Sequence, residues 1–411
     1  MLIQKPECDY DMVVIGAGMV GASFALALKR RLSGRIRMLV VEAFQAGAGH
    51  PGSPSFDDRS TALSFGSRRI LEEIGLWQSL EESATPINTI HVSDRGHFGS
   101  TRLDCASEGV PALGYVVENR CFGHVLHEEL RQQEGLDYLV PARVVDIVPD
   151  SSGMCLELSV ENDSSAKLHA GLVVLADGGR SPICSRLGIS LRETEYDQQA
   201  IIANIAFSQD HQNVAYERFT DSGPLAVLPL KTLEEKYRGA LVWTVPGSDA
   251  GAIMQLGDAE FGNLLQERFG YRLGAITRIG KRACYPLSLK IAREQIRPGL
   301  VLLGNVAHTL HPVAGQGFNL ALRDADELST ILVNAIMADK APGEMSVLLE
   351  YHKLQQRDQV RTISFSHYLT RLFSSSRSSL VWVRKFGLAS IDIVPLVKHE
   401  FARNAMGLAD R

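Results

Sequence analysis

The sequence has no cysteines at Cys-x-x-Cys spacing, no long apolar run and no surplus of positive charge. Its six cysteines, Cys8, Cys105, Cys121, Cys155, Cys184 and Cys284, are scattered over 411 residues, and none stands beside a histidine at zinc spacing. A redox cysteine pair and a zinc ribbon are thereby excluded, and reduced thiols in a cytosol fit better than a disulfide framework. No metal ligand set is expected. No segment approaches the roughly 20 apolar residues that a spanning helix needs, so the chain is expected to be soluble or held at a membrane surface. The apolar stretch 12–28 follows Glu7, Asp9 and Asp11 and contains three glycines, which argues against a secretion signal. With 42 Lys and Arg against 47 Asp and Glu, nothing favours binding to nucleic-acid phosphates. The 45% hydrophobic content suffices for the core of one or two domains.

Apolar patterning supplies the elements. Residues 10–15 read as a buried strand, 22–32 as a helix and 37–41 as a second strand, which together make a β-α-β unit. A loop rich in Gly, Pro and Ser follows at 47–58. Residues 66–74 and 123–133 read as helices, and 144–148, 155–160 and 167–176 as strands. From 201 to 289 the pattern turns β-rich, with strands at 201–207, 215–219, 225–230, 240–245 and 282–288 and one helix at 258–269. This has the character of an inserted antiparallel sheet domain. An apolar strand at 300–304, a long helix at 317–337 and a helical tail from 345, broken near 374–379 and at Pro395, complete the chain.

Three segments carry the chemistry. Gly16-Ala17-Gly18-Met19-Val20-Gly21 leaves a strand and opens a helix, where glycines permit the tight turn and a close backbone approach to a pyrophosphate. The helix N-terminus offers unpaired N–H groups and the positive end of its dipole. Glu42 ends the second strand 21 residues after Gly21, where a carboxylate can take the hydroxyls of a ribose lacking a 2′-phosphate. Asp177-Gly178 follows the strand at 167–176, although Asp-Gly after a strand is also an ordinary turn. The third segment runs from Gly304-Asn305 through His308 and His311 to Pro312, Gly315, Gln316, Gly317 and Asn319, a glycine-rich turn into a helix. That helix N-terminus can stabilise negative charge on a reduced flavin ring. NAD alone does not explain three such segments, whereas FAD, with two ends to hold, does.

These motifs resemble the FAD-dependent aromatic hydroxylases of the para-hydroxybenzoate hydroxylase type, and more narrowly their ubiquinone-biosynthesis branch. The narrower likeness lies in Asp58-Arg59-Ser60-Thr61-Ala62-Leu63, in His91-Val92-Ser93-Asp94-Arg95-Gly96-His97, and in Glu217-Arg218-Phe219-Thr220 leading to 223–229. It covers nearly the whole chain. The resemblance implies an α/β fold in which a Rossmann-like FAD-binding domain carries an inserted β-rich substrate domain and a helical C-terminal tail. Its parts would be 1–80, 111–195 and 291–340 for FAD, 81–110 and 196–290 for the substrate, and 341–411 for the tail.

The resemblance also assigns residues. Gly16, Gly18, Gly21 and Glu42 would hold the ADP portion, Arg59 and Arg120 would lie along the flavin, and Asp177 and Gly178 would support the pyrophosphate. Gly304 and Asn305 would meet the ribityl chain, and Pro312, Gly315, Gly317 and Asn319 would border the ring. Most relatives carry Asp where this chain has Asn305, yet an amide can still donate and accept there. The family reaction takes electrons from NADH or NADPH, adds O2 to the flavin as a hydroperoxide and hydroxylates an electron-rich phenol, here a 2-polyprenyl-6-methoxyphenol. The protein positions the ring and excludes water.

No acid–base pair stands out in the sequence. His308, His311 and Pro312 are candidates near the flavin face, against the commoner case of structural histidines. Phe219 is a candidate pocket wall beside a structural Arg218. Arg95 and His97 can reach the substrate sheet or belong to a solvated loop, and Trp77, Trp243 and Trp382 read as packing residues. In the tail, apolar residues from Leu369 to Leu396 are interleaved with Arg371, Arg377, Arg384, Lys385, Lys398 and Arg403. Such a pattern suits docking at the inner face of a membrane or on other ubiquinone-biosynthesis proteins in a complex, or equally a helix closing the core. Alternatives are hydroxylation at another ring position, a geranylgeranyl-type FAD reductase and a non-catalytic flavin scaffold. The Trp-x-Trp-x-Ile-Pro signature of flavin-dependent halogenases is absent.

Overall fold

The computed structural model describes residues 9–32, 34–44, 59–94, 100–150, 153–160, 164–220, 222–310, 315–374, 399–400, 402–403 and 406–408, with side chains of the last long helix described to 364. Strand Tyr10–Ile15 is the axis of the first sheet. Met12, Val13 and Val14 are fully buried, and a strand covered on both faces needs such an unbroken apolar run. It pairs in parallel with Met38–Val41 on one side and Ser164–Leu175 on the other. Leu136–Leu139 and Leu300–Leu302 extend the parallel sheet outward. The first half of Ser164–Leu175 instead pairs antiparallel with Met154–Val160, which pairs with Ala142–Pro149.

Helices Met19–Leu32 and Gln316–Met337 share one core with this sheet through Phe24, Ala25, Leu28, Leu328 and Leu332. The first helix begins at Met19, three residues before the apolar pattern suggests, because Ala22 N already donates to Gly18 O at 3.0 Å. The poor helix propensity of glycine conceals that first turn in the sequence.

The second sheet has nine strands. Its spatial order is His308–Thr309, Ala283–Ala292, Leu191–Phe207, Lys236–Pro246, Gly223–Leu233, Val214–Thr220, Thr89–Asp94 and Ser100–Asp104, with Ile276–Ile279 also on Leu191–Phe207. Residues 89–104 therefore complete an edge made otherwise by residues far along the chain. Leu191–Phe207 is longer than the 201–207 expected, since its first residues, including Arg192, Glu193 and Glu195, are largely exposed and pair with Ala283–Ala292. A solvated charged strand shows no apolar alternation to read.

Helices Gly247–Gln255 and Asp258–Phe269 cover one face of this sheet, where Trp243, Phe261, Leu265 and Phe269 form a core. The opposite face looks toward the first sheet. Between them stands a three-stranded sheet of Ser60–Ser64, Gly114–Glu118 and Ala84–Ile87, whose short strands had no distinct pattern in the sequence. Near the end of the chain, Ala402 and Met406 pack with Leu103 and Leu113, and Gly66 N donates to Met406 O at 2.9 Å. The tail positions suited to docking or to closing the core, Trp382 among them, and the break at Pro395 lie outside the described side chains, Arg403 excepted. No helix among the described residues is long and apolar enough to cross a membrane.

Candidate flavin site

Register brings the cofactor segments together. Val41 lies opposite Ile15, Ile15 opposite Leu175, and Leu175 opposite Leu302, in four adjacent parallel strands. Glu42, Gly16, Ala176 and Leu303 therefore leave the sheet at one level. Crevices outside the carboxyl ends of parallel strands are where α/β sheets bind ligands.

At that level the backbone is packed as tightly as it can be. A Cβ on Gly21 would stand 2.0 Å from Gly16 O, and one on Gly16, whose φ is +100°, would stand 2.6 Å from Ala176 O. Only hydrogen fits at either position. Glu42 is buried, and its carboxylate accepts from Ala17 N at 2.7 Å and from Phe44 N at 2.9 Å. Burial raises its pKa, opposed by the amides of Phe44, Ala17 and Ala43 and by Arg143. Burial likewise pushes Asp177 up to about 6, with the Ser181 hydroxyl pulling it down. Asp177 Oδ1 is shielded from solvent and has no partner among the described residues. Gly304 lies against Val20 in the first turn of helix Met19–Leu32, and Gly179 against Asn305 and Thr309. The second and third segments thus touch each other as well as the first. Asn305 itself is exposed.

Asn319 holds the far side. Its Nδ2 donates to Ala62 O at 2.9 Å and Gly315 O at 2.7 Å, while its Oδ1 accepts from Ser64 N at 2.8 Å and Ser67 Oγ at 2.7 Å. Every one of those bonds is internal, so this amide pins the Gly315 turn to strand Ser60–Ser64. Neither helix opening on the site, Met19–Leu32 nor Gln316–Met337, has an acidic residue in its first turn. Both positive dipole ends therefore remain available to anions.

Other candidates are placed differently. Arg59 stacks over Tyr285 of the second sheet, 5.0 Å from the ring centroid. Arg120 is exposed and reaches Glu118 at 3.4 Å. His308 is buried, with Nε2 2.6 Å from Asp324 Oδ2 in helix Gln316–Met337, and Gln359 and Gln295 extend this polar chain behind the site. Burial raises the Asp324 pKa against the pull of His308. Phe219 is buried on its strand. His311, Pro312, Asp58, Arg95 and His97 lie outside the described residues. Tyr285, Glu118, Asp324 and the pair Ser64 and Ser67 had no signal in the sequence, because each acquires its role from a partner remote along the chain.

The profile of the family described as FAD binding domain matches residues 9–362. The chain is 32% identical to ubiquinone hydroxylase UbiL of Rhodospirillum rubrum over 97% of its own length and 89% of that protein's. The chain belongs to this family of FAD-dependent hydroxylases. It is an FAD-dependent monooxygenase. To the 3-demethoxyubiquinol 3-hydroxylase of Escherichia coli (strain K12) it is 28% identical, covering 97% of this chain and 98% of that one. Its fold is that of p-nitrophenol 4-monooxygenase PnpA from Pseudomonas putida DLL-E4, at a TM-score of 0.78 and 18% identity over 97% and 98% of the two chains.

The site fits FAD on its own chemistry. The buried Glu42 and the half-buried Asp177, both with raised pKa, stand at the strand ends, and the shielded Asp177 Oδ1 has no donor among the described residues, a role that ribose or ribityl hydroxyls suit. The glycine loop admits a diphosphate to helix-terminal amides whose first turns carry no acidic residue. In this hydroxylase Gly16, Gly18, Gly21 and Glu42 stand together at the ends of the first two strands, and Asp177, Gly178, Gly304 and Asn305 gather beside them.

Proposed function

We propose that this monooxygenase hydroxylates the aromatic ring of a 2-polyprenyl-6-methoxyphenol during ubiquinone assembly, with NADH or NADPH as reductant. The observation that carries this reading is the inner face of the second sheet. Asn204 Nδ2 reaches Glu118 at 3.4 Å, Arg238 reaches the same carboxylate at 2.7 Å, and Tyr285 lies under Arg59. These contacts turn that face toward the flavin half. Between them stand Ile202, Val242 and Ala226, all only partly buried, a floor suited to a flat apolar ring. Support also comes from the names of the relatives, two of which act on quinones or their precursors.

Bound FAD supplies activated oxygen from O2 once a nicotinamide has reduced it. The chain's own residues do the rest. Glu42 and the glycine loop anchor the adenosine end, the Asn319 bonds fix the turn at the ring end, and the sheet face presents the phenol while limiting water. Deleting the gene in its host and identifying the accumulated precursor tests the substrate. A prenylated methoxyphenol supports this reading, whereas a demethoxyquinol would favour another ring position. Phenol-dependent O2 uptake by the purified protein separates hydroxylation from prenyl-chain reduction and from a passive scaffold. The prenyl chain of such a substrate resides in a bilayer, which supports contact with the inner face of the membrane and with other enzymes of the same route. Liposome co-sedimentation reads the membrane contact.

A further inference from the structure

Glu217 is an acidic residue of the second sheet's inner face. Its neighbours settle its direction. Tyr216 meets Phe269 edge-on with ring centroids 5.7 Å apart, and Arg218 Nη1 donates to Phe269 O at 3.0 Å. Both therefore face the helices that cover the outer side. Side chains alternate along a strand, so Glu217 points inward with Ala215, which packs against Ile87 and Val116 of the three-stranded sheet.

Register then gives its row. Glu217 stands opposite Val92 and Ala226, Ala226 opposite Val242, and Val242 opposite Ile202. One row away along the strands is Asn204, tethered to Glu118. One row away in the other direction is Ala200, opposite the Tyr285 that lies under Arg59. The row of Glu217 thus runs between the two tethers, a carboxyl at the end of a strip of small apolar side chains. Glu217 has no hydrogen-bond or ion-pair partner among the described residues. Loss of hydration pushes its pKa up to about 7. Glu217 is half-buried, and a carboxyl so placed costs the fold some stability unless a donor reaches it.

We propose that Glu217 orients the substrate: a carboxylate oxygen accepts the hydrogen bond of the ring hydroxyl while the ring lies along Ala226, Val242 and Ile202. This rests on the proposal that the substrate is a phenol. The hydroxyl end is thereby set at Glu217, and the carbon to be oxygenated is chosen by how far the ring extends along the strip from that anchor.

The test uses the FAD-loaded enzyme and a methoxyphenol bearing one short prenyl unit, with its O-methyl ether as control. Binding is followed by the perturbation of flavin absorbance, and turnover by NAD(P)H oxidation and product analysis. Glu217→Gln should keep FAD and raise both Kd and KM for the phenol by about 10-fold, with kcat changed less, because a neutral amide accepts more weakly. Glu217→Leu should raise them further and also raise Tm, since an apolar side chain suits a half-buried position between Val92 and Ala226. The ether should bind wild type and both variants alike and weakly. Phenol binding within twofold of wild type in both variants, or wild type binding the ether as tightly as the phenol, would overturn the role. Wild type that binds the phenol through Glu217 yet never oxygenates it would sink the proposed reaction and leave the anchor standing. Wild type that binds no phenol sinks both.

Discussion

The strand-end cradle and the inner face of the second sheet are built on opposite principles. At the cradle, main chain meets main chain, with Gly21 and Gly16 leaving no room for one carbon and Glu42 tied to two amides. On the sheet face, side chains are small and only partly covered, and the Glu217 carboxyl has no partner among the described residues. A cofactor shared by a whole family can be held by backbone, whereas a substrate is selected by side chains that change without disturbing the fold. The cradle should therefore be brittle and the face tolerant.

Gly21→Ala attacks the cradle hardest. The new methyl would overlap Gly16 O, so purified protein should be colourless and destabilised by about 3 kcal/mol or more, as read by flavin content and urea unfolding. Normal flavin content would break the contrast.

Asp177→Asn should come next, with the opposite sign. The folded pKa of Asp177, about 6, exceeds its ordinary 3.8, so its contribution to stability is present in acid and is lost as pH rises through 6. Flavin-free wild type should therefore weaken between pH 4 and 7, and the Asn variant should not. At neutral pH the variant should be more stable by up to ~3 kcal/mol, two pKa units' worth, while binding FAD less well. Thermal melts of the apoprotein across pH decide it, and equal pH slopes would rule out a strained carboxyl.

Glu42→Gln replaces one of two accepting oxygens by an NH2 group that faces a backbone N–H. FAD affinity should fall about 10-fold, or ~1.4 kcal/mol, in a flavin titration, and the melting temperature of the apoprotein should fall with it. Val242→Phe probes the tolerant region and has the smallest effect. FAD content should stay at the wild-type level while KM for the phenol rises several-fold, of the order of 1 kcal/mol. Flavin lost from this variant would mean that the face belongs to the cradle after all.

Much of the first sheet was legible because buried parallel strands must be uninterrupted apolar runs and because tight turns require glycine. Tyr10–Ile15, Met38–Val41 and the segment before Asp177 announce themselves in this way. Less than half of Leu191–Phe207 shows in the sequence pattern, since its solvated beginning carries charge in place of apolar alternation. Ser60–Ser64 and Gly114–Glu118 were not read at all, being short strands whose burial comes entirely from neighbours. Among site residues, Gly16, Gly21 and Glu42 carry a spacing that implies their geometry. Asn319 carried a family likeness but not its four internal bonds, and His308 gave no hint of Asp324 behind it.

The order of amino acids alone was enough to demand a glycine-lined nucleotide turn, a matching acid at the end of the next strand and a β-rich insert, because periodicity and backbone sterics act over a few residues. Folding had to choose everything that depends on register between distant strands. It put Val41, Ile15, Leu175 and Leu302 on one level and turned Glu217 inward while Tyr216 and Arg218 turned out. A shift of one residue in any of these pairings would send each side chain to the other face, and such a shift leaves no local trace in the sequence.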